Sequence, residues 1–269
     1  MDGEQYVRYT QHLVSQAWQD PDIVGLVALG STARRTHAPD EWSDHDVWVV
    51  TRDGRAADRL REDPSWLPEP HRIVAHLVET RHGRSVIYDD GHLIEVAVFA
   101  DDELEVTRAN DYRVLYDAGG IEGRLAAIAA RTADEMNQGD VPGSVASGRF
   151  VTQLIIGLGR CGRGELLSGN AMIRGHALAS LLEAVAATLP PARPGLLDTL
   201  DPHRRFESAY PDLADRLTQA LRLSEVGAAQ AMLDIAGESL AGAPSALAPA
   251  TVAVVQRTID RARAAQTTA

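Results

Sequence analysis

The chain has no lysine, so all 26 of its fixed positive side chains are arginines, set against 38 carboxylates. Its single cysteine, Cys161, excludes a disulfide within the chain. No apolar run approaches the roughly 20 residues that a bilayer span requires. The acidic, polar opening Met1-Asp2-Gly3-Glu4-Gln5 lacks the basic and apolar regions of a secretory signal. Together these absences lead us to expect a cytoplasmic protein with no membrane partner. The histidines show no His-Glu-x-x-His or Cys/His zinc spacing, and no Gly-x-Ser-x-Gly supports a serine nucleophile.

What is present is an ordinary globular balance, 45% hydrophobic and 24% charged, over 269 residues, a length that suits two domains. The charge is uneven. Residues 1–118 carry 12 Arg against 23 Asp and Glu, whereas residues 119–269 carry 14 against 15. So acidic a first half repels phosphate backbones, which argues against a nucleic-acid partner. It attracts metal ions and cationic small molecules instead.

The first half alternates short helical and strand patterns. Residues 4–19 read as an amphipathic helix with Tyr6, Tyr9, Leu13 and Ala17 inward. Strand-like runs follow at Ile23–Leu29, Asp46–Thr51, Arg72–Val78, Ser85–Tyr88 and Leu93–Ala100, with a last short apolar stretch at Arg113–Tyr116. Asp117-Ala-Gly-Gly then marks a boundary. Beyond it, Ala, Leu and Arg recur with helical spacing, predicting helices near 121–137, 145–160, 165–189, 203–222, 225–241 and 247–265. The expected architecture is α+β: a mixed head over residues 1–118 and a helical bundle over 119–269.

One segment carries chemistry. The apolar run Val24–Leu29 leads into Gly30-Ser31, and twelve residues after Ser31 comes Ser43-Asp44-His45-Asp46, opening a second apolar run. Backbone N–H groups at such a turn, with the Ser31 hydroxyl, can cradle phosphate oxygens, and Gly30 lets the chain approach them closely. Asp44 and Asp46, two apart at a strand start, share a face and can hold a pair of hard divalent cations. His45 between them points to the opposite face. A third acid, Glu95, interrupts the apolar run 93–100. Buried without a partner it costs several kcal/mol; beside the Asp46 strand it completes a carboxylate cluster and can take a proton from a hydroxyl. The alternative is an edge position open to solvent.

Gly30-Ser31, Ser43-Asp44-His45-Asp46 and Glu95 together resemble the signature of the DNA polymerase beta-type nucleotidyltransferase superfamily. The Ile94-Glu95-Val96 triplet is similar to that of aminoglycoside adenylyltransferases of the streptomycin/spectinomycin type. The resemblance covers residues 24–100. It implies a head built on a five-stranded mixed sheet and a helical substrate-binding domain. It implies ATP as donor, Asp44 and Asp46 as ligands of two magnesium ions, and Glu95 as ligand of the catalytic ion and as base. Gly30, Ser31, Arg34 and Ser43 make up the expected nucleotide-binding set. The implied acceptor is a small hydroxyl-bearing molecule, and an aminoglycoside-like polycation fits the charge. Members with a helical second domain often offer a lysine to the triphosphate; here an arginine must replace it, with Arg149, Arg160, Arg163 and Arg174 as candidates.

Two other readings keep the fold: a protein-modifying nucleotidyltransferase of antitoxin type, and a non-catalytic nucleotide-binding module. Gly157-Leu-Gly159-Arg-Cys-Gly162 matches the dinucleotide fingerprint, but no second strand leads to Glu183, so the context fails. Because each glycine inside a helix costs about 1 kcal/mol, that segment reads as a helix end and turn.

Overall fold

The computed structural model describes residues 3–33, 38–139, 142–193, 195–198, 201 and 203–268. The chain divides into two compact units, Met1–Glu135 and Met136–Ala269.

The first unit opens with α1 (Gly3–Gln19), whose Tyr6, Tyr9, Leu13 and Ala17 are buried at helical spacing, as the sequence predicts. It continues through β1 (Ile23–Leu29), the short α2 (Gly30–Ala33), β2 (His45–Thr51), α3 (Gly54–Glu62), β3 (Ile73–Val78), β4 (Gly83–Tyr88), β5 (Leu93–Ala100), β6 (Tyr112–Asp117) and α4 (Ile121–Gly139). Among the described residues the sheet has six strands, not the five that the resemblance implied, in the order β3-β4-β5-β2-β1-β6. The additional strand is the apolar stretch at Arg113–Tyr116, which pairs antiparallel with β1 at one edge. Only β2 and β5 run parallel; the other neighbours are antiparallel.

Each face of the sheet has its own core. Leu26, Val47, Val49, Ile94, Val96 and Val98 pack with Leu13 and Ala17 of α1. On the other face Val27, Val50 and Phe99 pack with Ile121, Leu125 and Ile128 of α4. The expected boundary at residue 118 falls in the turn before α4, and α4 packs on the sheet.

The second unit is helical: α5 (Gly143–Gly162), α6 (Leu166–Asn170), a π-helical turn (Ala171–Ala177), α7 (Leu178–Ala186), α8 (Phe206–Ala209), α9 (Pro211–Ala220), α10 (Glu225–Ser239) and α11 (Pro249–Thr268). Its core centres on α5, where Ala146, Phe150, Leu154, Leu158 and Cys161 form one buried stripe. The single helix expected over 203–222 is broken at Tyr210-Pro211, because proline has no N–H to donate and forces its predecessor out of the α region.

The glycine-rich segment does end a helix, since α5 stops at Gly162 and Gly164 turns with φ +80°, but its first two glycines lie inside that helix. α5 runs through Gly157 and Gly159 to Gly162. A Cβ on Gly157 would lie 2.6 Å from Ile173 Cγ1 and 3.2 Å from Gly169 O. The missing side chain lets the π-helical turn seat against α5, and this packing outweighs the propensity cost.

Candidate active site

β2 begins where the site begins. His45 faces the α1 side and is wholly buried, stacked on Tyr6 with ring centroids 3.7 Å apart. Its Nδ1 lies 2.9 Å from His92 Nε2, and its Nε2 lies 2.9 Å from Thr10 Oγ1. As the alternation predicts, His45 is a packed residue and not part of the carboxylate set.

Asp46 points to the opposite face. Its strand neighbour in the parallel β2–β5 pairing is Glu95, residue for residue, which sets the two Cα atoms about 4.8 Å apart. Glu95 is neither buried nor at an edge: β5 is interior to the sheet, and the side chain is exposed on the open part of this face. Asp44 stands two residues ahead of Asp46, just before β2.

Gly30 follows β1 and opens α2 with φ +49°, a left-handed conformation that favours glycine. A Cβ there would sit 3.2 Å from Asp46 Oδ2, so the missing side chain also leaves room for that carboxylate. Ser31, next in α2, is 7% exposed. Ser43 closes a turn: its Oγ accepts from Asp40 N–H and donates to Asp40 Oδ1, both at 3.0 Å. Arg34 lies outside the described residues.

The sequence reading missed the tie that holds these pieces together. Tyr6 OH lies 2.6 Å from Thr32 Oγ1 and donates to Asp44 O at 2.7 Å, while Asp46 N–H donates to Thr32 Oγ1 at 3.1 Å. A phenol has one proton, so with Tyr6 donating to Asp44, the Thr32 hydroxyl must donate to Tyr6. Burial pushes the Tyr6 phenol up; hydrogen bonds to Thr32 and Ser31 pull it down, and the charges of Asp44 and Asp46 add to the rise. It therefore stays protonated and keeps the turn after β1 fastened to the start of β2. The contacts span 26 and 38 residues, and no local pattern reveals them.

Beside Asp46 and Glu95 opens a pocket of about 290 Å³, whose walls include Trp48, Glu79, Arg84 and Ser85. The donor chemistry, carboxylate oxygens alone, suits a hard dication such as magnesium. Among the described residues, however, no three His, Cys, Asp or Glu side chains converge as a ligand set, so the arrangement aligns two carboxylates without forming a closed cage.

The candidate arginines of the second unit have partners there. Arg163 pairs with Glu165 at 2.8 Å, Arg149 lies 3.8 Å from Glu183, and Arg160 reaches Ser168 O at 3.4 Å. Arg174 binds Asn170 and the carbonyls of Leu221 and Leu223 past the end of α9. Among the described residues no helix is long and apolar enough to cross a membrane.

No protein-family model matches the chain, and no curated protein matches it. Among solved structures it is similar to an aminoglycoside 6-adenyltransferase from Bacillus subtilis, at 10% identity over 94% of this chain and 97% of that one, with a TM-score of 0.34. It is also similar to a STING-associated CdnE c-di-GMP synthase from Capnocytophaga granulosa, at 8% identity over 99% and 82%, TM-score 0.30. A third is CdnC from E. coli MS115-1, in a complex with HORMA-deltaN, at 15% identity over 88% and 90%, TM-score 0.29. Likenesses this loose carry no argument about chemistry; the geometry around Asp46 and Glu95 must carry it.

Proposed function

We propose that the protein is a nucleotidyltransferase that moves a nucleoside monophosphate from an NTP, ATP in the first instance, to a hydroxyl of a small acceptor. The observation that carries this is the in-register pair Asp46 and Glu95 on one open face, beside a Gly30-Ser31 turn tied to β2 through Tyr6 and Thr32. In this reading the acceptor oxygen bonds to the α-phosphorus, the bond from that phosphorus to the oxygen bridging the β-phosphate breaks, and pyrophosphate departs. The acceptor's proton goes to Glu95. The Gly30-Ser31 turn binds phosphate oxygens, with Arg34 and Ser43 as further nucleotide contacts. Asp44, Asp46 and Glu95 would hold two magnesium ions, which when bound offset the negative charge of the transferring phosphate. A cationic acceptor such as an aminoglycoside suits the acidic first half. A pyrophosphate-release screen with each NTP against amino sugars, aminocyclitols and neutral sugars tests the reading. Release that depends on acceptor and magnesium supports it; no release with any pair sinks it.

A further inference from the structure

Behind the carboxylates, on the α1 side of the sheet, lie two buried imidazoles. His45 stands in sequence between Asp44 and Asp46 and is wholly buried; His92, just ahead of β5, is 6% exposed. The parallel β2–β5 ladder begins at His45 with Ile94, and Asp46 with Glu95 is only its second rung. Asp44 lies ahead of the ladder altogether. Strand ends are where a ladder holds its residues least firmly. The acids therefore sit where the sheet alone fixes them poorly.

The His45 ring makes up for this. Its Nδ1 meets His92 Nε2 and its Nε2 meets Thr10 Oγ1, both at 2.9 Å. Thr10 also donates to Tyr6 O at 3.0 Å, the bond a helical threonine makes to the carbonyl four residues earlier. With its single proton there, Thr10 Oγ1 accepts from His45 Nε2–H. Burial disfavours a second proton on the ring, so His45 Nδ1 is bare and accepts from His92 Nε2–H. His92 is itself anchored: its N–H donates to Asp90 Oδ1 at 3.1 Å, and its carbonyl accepts from Tyr88 N–H at 2.9 Å. The ring is thus held by α1 on one side and by the β4–β5 turn on the other. Apolar side chains could fill this core; a satisfied polar chain fixes one arrangement of it.

We infer that His92 and Thr10 are positioning residues. By holding His45 as its Nε2–H tautomer they fix the backbone from Asp44 to Asp46, and so the aim of both carboxylates at a shared cation. The effect on catalysis rests on the proposed transfer reaction; the hydrogen-bond chain and its effect on cation binding do not.

The test uses the full chain with ¹⁵N-labelled histidine. Long-range ¹H–¹⁵N spectra at neutral pH should show His45 as the Nε2–H tautomer alone; the Nδ1–H form, or an average of the two, overturns the inference. His92→Gln returns an amide near the place of Nε2, whereas the shorter His92→Asn cannot reach it. Binding of Mn²⁺ without nucleotide is read by electron paramagnetic resonance, counting only the part that Asp46→Asn removes. His92→Asn should weaken it about tenfold, the lower end of what losing a residue that orients metal ligands costs, and His92→Gln less than about threefold. Equal affinities in the two variants, whether kept or lost, overturn the inference. Thr10→Val, which keeps the shape and removes the oxygen, should mix the His45 tautomers and weaken Mn²⁺ likewise, while Thr10→Ser does neither; this pair decides if the His92 variants fail to fold. With an acceptor from the pyrophosphate screen, His92→Asn should lower kcat about tenfold with the acceptor KM unchanged, and Gln should restore it. A kcat equal in both variants overturns the effect on catalysis with the transfer reaction intact. If no acceptor releases pyrophosphate, the transfer reading fails, and the spectra and Mn²⁺ titrations still decide whether His92 positions the carboxylates.

Discussion

At the residue scale the site depends on carboxylates that the fold could replace. Asp44 and Asp46 carry like charges two positions apart, and their side chains support no core packing. Changing either to Asn keeps the shape and relieves repulsion, so the Tm should stay equal or rise, while turnover falls at least about a hundredfold if the reaction needs the ligands. More than a tenth of wild-type turnover in either variant would remove the two-metal assignment. Glu95→Gln separates base from ligand. As a base, Glu95 contributes about 10²–10⁴ to single-turnover chemistry, and extra magnesium or manganese cannot restore it; as a ligand, it yields a loss that added metal recovers. The pairing of Asp46 with Glu95 was legible because strand alternation fixes which side chains share a face, and because a carboxylate inside an apolar run is conspicuous. Tyr6 and Thr32 were not. Each looks like an ordinary helix or turn residue until contacts across dozens of positions show what its hydroxyl meets.

Among the elements, α5 gives the clearest contest between local preference and packing. Gly157→Ala gains up to about 1 kcal/mol of helix propensity. The new methyl group meets Ile173 Cγ1 at 2.6 Å, close to that side chain's stem, and the backbone oxygen of Gly169 at 3.2 Å. Overpacking of this kind typically costs about 1–3 kcal/mol, so packing wins and the Tm should fall; a rise would mean that the π-helical turn shifts freely. Gly162→Ala, whose added Cβ would come no nearer than 3.9 Å to Ala262 Cα, is the control. The α5 helix itself was legible from its apolar spacing. The π-helical turn and the break at Tyr210-Pro211 are set by tertiary contact and by proline's missing donor, which blur when a helix is read from composition. A second contest joins α3 to the end of β5. Arg61, 5% exposed, donates to Val98 O and to Glu103 Oε2 at 2.5 Å. Burial raises the Glu103 carboxyl, but the Ala100 N–H, Arg61 and His82 outweigh it and hold its pKa down from 4.5 to about 2. A depressed carboxyl stabilises the fold fully above its unfolded pKa and loses that contribution as pH falls from about 4.5 through about 2. A plot of Tm against pH should therefore drop across that window in the wild type, and less steeply in Glu103→Gln. Parallel curves would show that other carboxylates carry the acid sensitivity.

For the whole molecule the governing quantity is charge. The formal net charge is −12 at pH 7, and residues 1–118 account for most of it. Such an excess raises the local concentration of cations around the pocket and speeds their encounter. It repels the triphosphate, which must then be held by short-range contacts: the backbone N–H groups of the turn, its flanking residues and whatever metal the carboxylates bind. The two substrates should therefore respond to salt in opposite senses. Screening lengths shorten from about 30 Å at 0.01 M to about 10 Å at 0.1 M, so long-range attraction fades over that range while contacts inside the pocket persist. With a polycationic acceptor, kcat/KM for the acceptor should fall steeply between those ionic strengths. The KM for NTP, at fixed free magnesium, should stay level or improve. Steady-state kinetics at four or five salt concentrations, with the counter-ion held constant, would read both at once. If kcat/KM for the acceptor is independent of salt while pyrophosphate release persists, the acceptor is neutral, and the acidity of the first half serves solubility instead of recruitment.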